Sequence, residues 1–309
     1  MKIQPLNPFV AAEVTEINLT QPLSADAVGT LTDAHARHGV LVFPDQRISS
    51  EDLLRIGRSF GELTIHPFST NSAEVPELIV YDHKEGNPPL QTDIWHTDET
   101  FRECPPMGTM LVSKIVPALG GDTCFVNMGA VYEGLSPRMQ RYLEGLEAVH
   151  DFLPFKRLFT NTPNGAESLR EFEARYPPSV HPVVREHPVT GRQVIYVTSQ
   201  FTTHIKDMEP YESRMLLDYL YHRAQTNEYQ YRHRWAPDTL VFWDNRLVQH
   251  SAVHDYYPQR RLMERVTIRG DRPRSGAPAA TPEDVRRFLM PPIEAFVGER
   301  ATRQNEVDA

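Results

Sequence analysis

Two histidines and one aspartate in this chain have the types and the spacing to hold a metal ion that stays open to other ligands. His96 and Asp98 form a His-x-Asp pair within Trp95-His96-Thr97-Asp98, and His250 closes the distant run Asp244-Asn245-Arg246-Leu247-Val248-Gln249-His250. Two imidazoles and a carboxylate can occupy one face of an octahedral ion and leave the opposite face free, which is the donor set of non-haem Fe(II) sites. A closed structural zinc site would need four ligands, usually with thiolates among them, and the chain has only two cysteines. Any single histidine among thirteen is more often structural than chemical, so the combination carries the weight.

Those residues have to be brought together by the elements around them. His96 and Asp98 lie two apart, so an extended segment would project both to one face. His250 must return from a late strand. Short strands with Pro and Gly clusters between them are expected over 78–81, 108–115, 123–127, 193–197, 239–243 and 265–270. Earlier, 14–19 reads as a strand and 39–43 as a buried strand stopped by Pro44. Helices are expected over 24–37 with Ser24 as N-cap, over 49–60 with a Ser-x-x-Asp start and a Gly61 stop, and over 131–147 and 208–223. Many short strands with helices at the edges make the fold mostly β with flanking helices, a double-stranded β-helix or jelly roll with ligands between its sheets. No repeat or composition break divides the chain, so 1–273 reads as a single jelly-roll domain. Residues 155–176 have mixed polarity and no clean period, the profile of a mobile loop serving as a lid. The remaining 274–309 reads as one short helix, capped by Thr281, followed by a frayed tail.

The 309 residues are 40% hydrophobic and 24% charged, an ordinary balance for a globular protein. No run approaches the roughly 18 apolar residues of a membrane span. The opening Met1-Lys2-Ile3-Gln4-Pro5 shows no charged-then-apolar leader, and the cytoplasm is the expected location. Cys104 and Cys124 are too few for a disulfide framework and read as small buried hydrophobes. A formal net charge of −9 argues against nucleic acid as a partner. Positive charge is instead gathered in Arg260, Arg261, Arg265, Arg269, Arg272 and Arg274, just beyond His250, which points to a small anionic ligand; Arg272 and Arg274 read as solvated. If Arg261 and Arg265 share one strand, their spacing of four puts both guanidiniums on one face.

Taken in order, Trp95-His96-Thr97-Asp98, Gly120-Gly121-Asp122-Thr123, Trp243-Asp244-Asn245-Arg246, His250 and Arg261 resemble the taurine dioxygenase (TauD/TfdA) family of Fe(II)- and 2-oxoglutarate-dependent dioxygenases, over about Pro5 to Pro273. The resemblance implies that His96, Asp98 and His250 bind Fe(II), and that Arg261 and Thr123 hold the distal carboxylate of 2-oxoglutarate. It further implies that O2 is the oxidant, that succinate and CO2 are released, and that a substrate C–H bond is oxidised. Related halogenases lack the ligand carboxylate, so Asp98 favours hydroxylation, desaturation or cleavage over halogenation.

For the primary substrate, His66 in Ile65-His66-Pro67 resembles the family's sulfonate contact and Phe201 a pocket aromatic, while Arg265 resembles the arginine that holds the acidic group or lies beside the oxo-acid end of the cosubstrate. Ser69 stands where the resemblance calls for a tyrosine, and Thr92 where it calls for an asparagine. Both changes remove polar contacts and open space. They imply an acid larger than taurine: an alkyl sulfonate, a sulfate ester, an aryloxy-alkanoate or a natural-product intermediate. The expected partner is thus a small anionic organic substrate, with neither nucleic acid nor membrane, and the expected assembly is a homo-oligomer, dimer or tetramer. The competing reading is a cupin-like metal-binding or sensor protein without oxygenase activity. A zinc hydrolase is disfavoured, because no glutamate stands in a His-Glu-x-x-His helix.

Overall fold

The strand Leu240–Asp244 is buried at every position, because both of its faces are covered. Leu240 and Phe242 meet Leu31, Leu53 and Ile56 of two N-terminal helices, whereas Val241 and Trp243 turn the other way, onto Phe125 and Val248. This strand lies at the centre of a seven-stranded sheet. Across the sheet the order is Lys2–Pro5, Ala12–Thr15, Val40–Phe43, Leu240–Asp244, Gly108–Ile115, Arg261–Ile268 and Ile79–His83. All neighbours are antiparallel except Ala12–Thr15 with Val40–Phe43. A three-stranded sheet of Gln230–His233, Thr123–Asn127 and Val248–Ala252 faces it. Together they form the double-stranded β-helix, or jelly roll. The computed structural model describes residues 1–276 apart from 70, 90–91 and 161–163. The expected tail helix at Thr281 lies outside the described residues. Among the described residues no helix is long and apolar enough to cross a membrane.

The two N-terminal helices start and stop where their caps dictate. Helix Ala25–His38 begins at Ser24, whose hydroxyl accepts from Ala27 N–H, and ends at Gly39 in the left-handed region. A Cβ at Gly39 would lie 2.6 Å from Val248 Cγ1, so this turn needs glycine for its conformation and for its closeness to the strand that carries His250. Helix Ser50–Phe60 carries both bonds of the Ser49/Asp52 capping box.

Other segments depart from the sequence reading. The first strand of the 14–19 region is Ala12–Thr15, since Glu16 adopts a left-handed φ of 56° and turns the chain. The expected helix over 131–147 is two short helices, Met128–Glu133 and Pro137–Leu143, followed by the strand Glu147–His150. Ser136 caps the second and Pro137 starts it, so the proline marks a helix start inside what reads as one period. The region 155–176 is not an irregular loop: it holds Leu153–Lys156, the 3-10 turn Arg157–Phe159 and helix Gly165–Arg175. Their rings join Phe101, Phe152 and Phe201 in an aromatic cluster, which supplies the packing that local periodicity did not reveal. The last strand begins at Arg261, four residues earlier than expected. The cysteines are not buried hydrophobes: Cys104 is exposed and Cys124 half-buried, and neither is bonded.

Candidate metal centre and cavity

The His-x-Asp segment reaches the barrel by a single backbone bridge. His96 N–H donates to the His250 carbonyl at 3.0 Å, and His250 N–H returns a bond to the His96 carbonyl at 2.8 Å. One residue later the chain leaves sheet pairing, and Asp98 opens a turn with Glu99 at a left-handed φ of 50°. The extended segment expected for both residues is thus only a bridge at His96, yet Asp98 still arrives beside the imidazoles. Ligand atoms of His96, Asp98 and His250 all lie within 4.8 Å of one another, and all three residues are buried.

Each donor is prepared for a cation. His96 Nδ1 lies 2.7 Å from the Ile94 carbonyl. A carbonyl can only accept, so Nδ1 carries the proton and Nε2 presents its lone pair. The His250 ring is held by packing against Trp243 at 4.8 Å and Phe125 at 6.2 Å. Burial, followed by the neighbouring His96, pushes His250 down to about 3, so its ring is neutral. Burial likewise lowers His96.

Asp98 divides its two oxygens. Oδ1 faces His96 Nε2 at 4.0 Å and His250 Nε2 at 3.8 Å. Oδ2 accepts from Thr109 Oγ1 at 2.7 Å and lies 3.0 Å from Arg265 Nη2, an ion pair without hydrogen-bond alignment. Burial alone would raise the pKa of Asp98. Arg265 and the two imidazoles overcome that and hold it well below the carboxylate range. Two neutral nitrogens and one anionic oxygen, with the second oxygen already engaged, fit a divalent ion such as Fe(II).

Thr109 is itself set by a chain of bonds with a fixed direction. Trp243 Nε1 donates to Asn245 Oδ1 at 3.1 Å, which leaves Asn245 Nδ2 to donate to Thr109 Oγ1 at 3.1 Å. The Thr109 proton therefore goes to Asp98. The register explains the meeting: Thr109 pairs with Trp243 on one side and Thr267 on the other. Asp244 works differently, as a buried anchor that takes Arg246 through both carboxylate oxygens and contacts His35 and His187.

Every site residue expected from the sequence lines one cavity of about 340 Å³: His96, Asp98, His250, Thr123, Arg261, His66, Ser69, Thr92, Phe201 and Arg265. Arg261 and Arg265 share the strand Arg261–Ile268 with alternating burial, so both face inward as their spacing requires. The other arginines of the basic stretch do not line it. Arg260 pairs with Asp82, Arg269 with Glu62 and Arg272 with Glu103, all at the surface. Arg261 is 7% exposed and packs against Trp235 and Tyr256, but among the described residues its Nε and Nη2 have no hydrogen-bond partner. Burial pulls it below its ordinary pKa, with Tyr256 opposing. Thr123 Oγ1 accepts from Trp235 Nε1 at 3.0 Å and keeps its own proton to donate. Both glycines of Gly120-Gly121 have positive φ, and a Cβ on Gly121 would press on Arg261 Cδ at 3.3 Å.

At the other end of the cavity, His66 Nδ1 accepts from Phe68 N–H at 3.2 Å and contacts Ser69 Oγ at 2.8 Å. The backbone N–H can only donate, so His66 carries its proton on Nε2, the opposite tautomer to His96. Ser69 therefore positions His66, a role not foreseen. Thr92 Oγ1 lies 3.1 Å from His254 Nε2. Sequence reasoning also missed Tyr81, 3.4 Å from Arg265 Nη1, and the His83–Tyr256 contact of 2.8 Å beside Arg261. Tyr81 pairs in register with Met263, between the two arginines, and only the order of strands in the sheet reveals that. Pro154, Phe155, Arg157 and Leu158 close one side of the cavity.

A jelly roll with two histidines and a carboxylate at its cavity is the architecture of a 2-oxoglutarate-dependent dioxygenase. The chain belongs to the TauD/TfdA family: the family described as "Taurine catabolism dioxygenase TauD, TfdA family" matches residues 2–267. It is 31% identical to an alpha-ketoglutarate-dependent 2,4-dichlorophenoxyacetate dioxygenase of Cupriavidus pinatubonensis, over 86% of this chain and 97% of that protein. It is 32% identical to an alpha-ketoglutarate-dependent sulfonate dioxygenase of Saccharomyces cerevisiae, over 88% of this chain and 68% of that one. Among solved structures, that of AAD-2 in complex with Mn(II) and N-oxalylglycine superposes with a TM-score of 0.74 at 29% identity, covering 88% of this chain and 98% of the other. The chain is therefore an enzyme that uses Fe(II), 2-oxoglutarate and O2, and the cupin-like sensor reading falls away.

Proposed function

We propose that this enzyme oxidises a C–H bond of a small organic acid bulkier than taurine, an alkyl sulfonate or an aryloxy-alkanoate being the leading classes. His96 Nε2, Asp98 Oδ1 and His250 Nε2 hold the iron. Arg261 and Thr123 take the distal carboxylate of 2-oxoglutarate, and His66 Nε2–H with Arg265 takes the acid group of the substrate. The single observation that carries the assignment is Arg261: a buried guanidinium with two idle donors, beside a threonine hydroxyl with a proton to give, in the same cavity as the metal cluster. A buried cation of this kind calls for a carboxylate, and each charge-assisted bond is worth roughly 1.5–3 kcal/mol.

Iron and 2-oxoglutarate bound there supply the oxidant from O2, with 2-oxoglutarate leaving as succinate and CO2. The residues of the chain position and shield. Asp98 stays anionic through Arg265 and Thr109, and Trp243, Leu111 and Phe201 line the space where the substrate body lies. The segment Leu153–Phe159 is assigned the lid role expected of this region, because it places Phe155 and Leu158 over the cavity while Leu158 stays 45% exposed. The apolar lining and the names of the relatives support a substrate with an apolar body.

Anaerobic addition of Fe(II) and 2-oxoglutarate should give a weak visible charge-transfer band. Asp98→Ala should abolish it, and Arg261→Ala should raise the 2-oxoglutarate concentration needed for it by about a hundredfold or more, the loss of two such bonds. Intact, metal-loaded protein without a band would sink the assignment. Succinate release stimulated by a panel of sulfonates and aryloxy acids identifies the substrate.

A further inference from the structure

Glu99 lines the substrate end of the cavity and is 1% exposed, yet only half of its carboxylate is used. Oε2 accepts from Arg102 Nε at 2.6 Å, and Arg102 Nη2 donates onward to the Ile65 carbonyl at 2.9 Å. Oε1 has no partner. The residue also holds a left-handed backbone, φ 50°, which is unfavourable for a side chain of this kind. A plain alkyl acid entering there leaves a buried carboxylate oxygen unpaired. An acid that carries its own N–H or O–H donor satisfies it, and sites built around such a bond discriminate strongly against analogues that lack it.

We propose that Glu99 is a specificity-determining residue that accepts a hydrogen bond from an ammonium or hydroxyl group of the substrate, so that the preferred substrate is an amino- or hydroxy-substituted acid. The inference rests on the reading of this cavity as the site of acid oxidation. The alternative role for Glu99 is a brace, through Arg102, between the His-x-Asp turn and the His66 loop.

Two matched trios separate these. The first is 3-aminopropanesulfonate, 3-hydroxypropanesulfonate and butane-1-sulfonate; the second is 4-aminobutanoate, 4-hydroxybutanoate and pentanoate. Affinity is read anaerobically on the enzyme loaded with Fe(II) and 2-oxoglutarate, from the perturbation of its visible band. In at least one trio a donor-bearing member should bind about tenfold to a hundredfold more tightly than the methyl-terminated one. Glu99→Gln, which can keep the Arg102 bond but turns an N–H toward the substrate, should erase or reverse that ratio while leaving the unperturbed band intact. Equal affinities within both trios, binding by none of the six acids, or an unchanged ratio in Glu99→Gln overturns the proposal. The wild-type ratio stands as a test without the variant. A band that never forms counts against the metal and cosubstrate assignment instead, so the two failures are told apart.

Discussion

The two ends of the cavity are built from different material. At the metal end, the ligands sit on a backbone bridge and a late strand, and two of the three atoms a cation does not need are already engaged, His96 Nδ1 by Ile94 and Asp98 Oδ2 by Thr109 and Arg265, while the His250 ring is held by packing. At the substrate end, His66 stands on a loop, braced by Ser69 and Phe68, and the walls are rings from short helices and turns. Strands fix positions through paired backbones, while loops and ring clusters change shape with single substitutions. The reaction is thereby tied to the sheet and the choice of substrate to the periphery.

Arg265 sits where the two ends meet, and its removal should have the largest effect. In the metal-free protein Arg265→Ala leaves Asp98 buried without its counter-charge, a loss of about 3–5 kcal/mol for a broken buried pair. Fe(II) replaces that charge, so unfolding of the metal-loaded variant should show a much smaller loss, while the KM for the acid substrate rises. Equal destabilisation with and without metal would show that Arg265 is not the counter-ion of Asp98.

Thr109→Val tests the metal end alone. It keeps the volume but strips Asp98 of one donor and leaves Asn245 Nδ2 unpaired, so Fe(II) affinity should fall roughly tenfold to a hundredfold, as for other groups that orient a ligand. Titration with a competing chelator measures it. An unchanged affinity would mean that Arg265 suffices to orient the carboxylate.

Phe155→Ala tests the substrate end and should have the smallest effect. The ring stacks on Phe68 at 4.6 Å and meets Phe201 at 5.9 Å. Its loss should raise the KM for the acid several-fold, in line with about 1 kcal/mol for an aromatic contact, and leave the binding of metal and 2-oxoglutarate as it was. A matching change in the 2-oxoglutarate constant would erase the division between the ends.

Much of this was legible in the chain because it depends on local rules. Ser24 and the Ser49/Asp52 box mark helix starts, since a cap uses neighbouring donors. The alternation that turns Arg261 and Arg265 inward follows from strand geometry once both lie on one strand. His96, Asp98, His250, Thr123 and Arg261 could be picked out by residue type and order. The helices within 153–175 could not, because their stability comes from distant rings of Phe68 and Phe101 rather than from their own period. Nor could the split of 131–147, where one helix stops at Gly134 and Pro137 begins another.

The sequence by itself determined which atoms are available: two imidazoles, a carboxylate, two arginines at a spacing of four, and a loop histidine. Tertiary structure alone decided how each is used. The Ile94 carbonyl makes His96 a lone-pair donor, while the Phe68 N–H makes His66 a proton donor. Strand register brings Thr109 and Asn245 to Asp98, and burial leaves Arg261 and Glu99 each with polar atoms unpaired. Tautomer, bond direction and an unmet partner depend on groups far away in the chain that meet only when the sheets form.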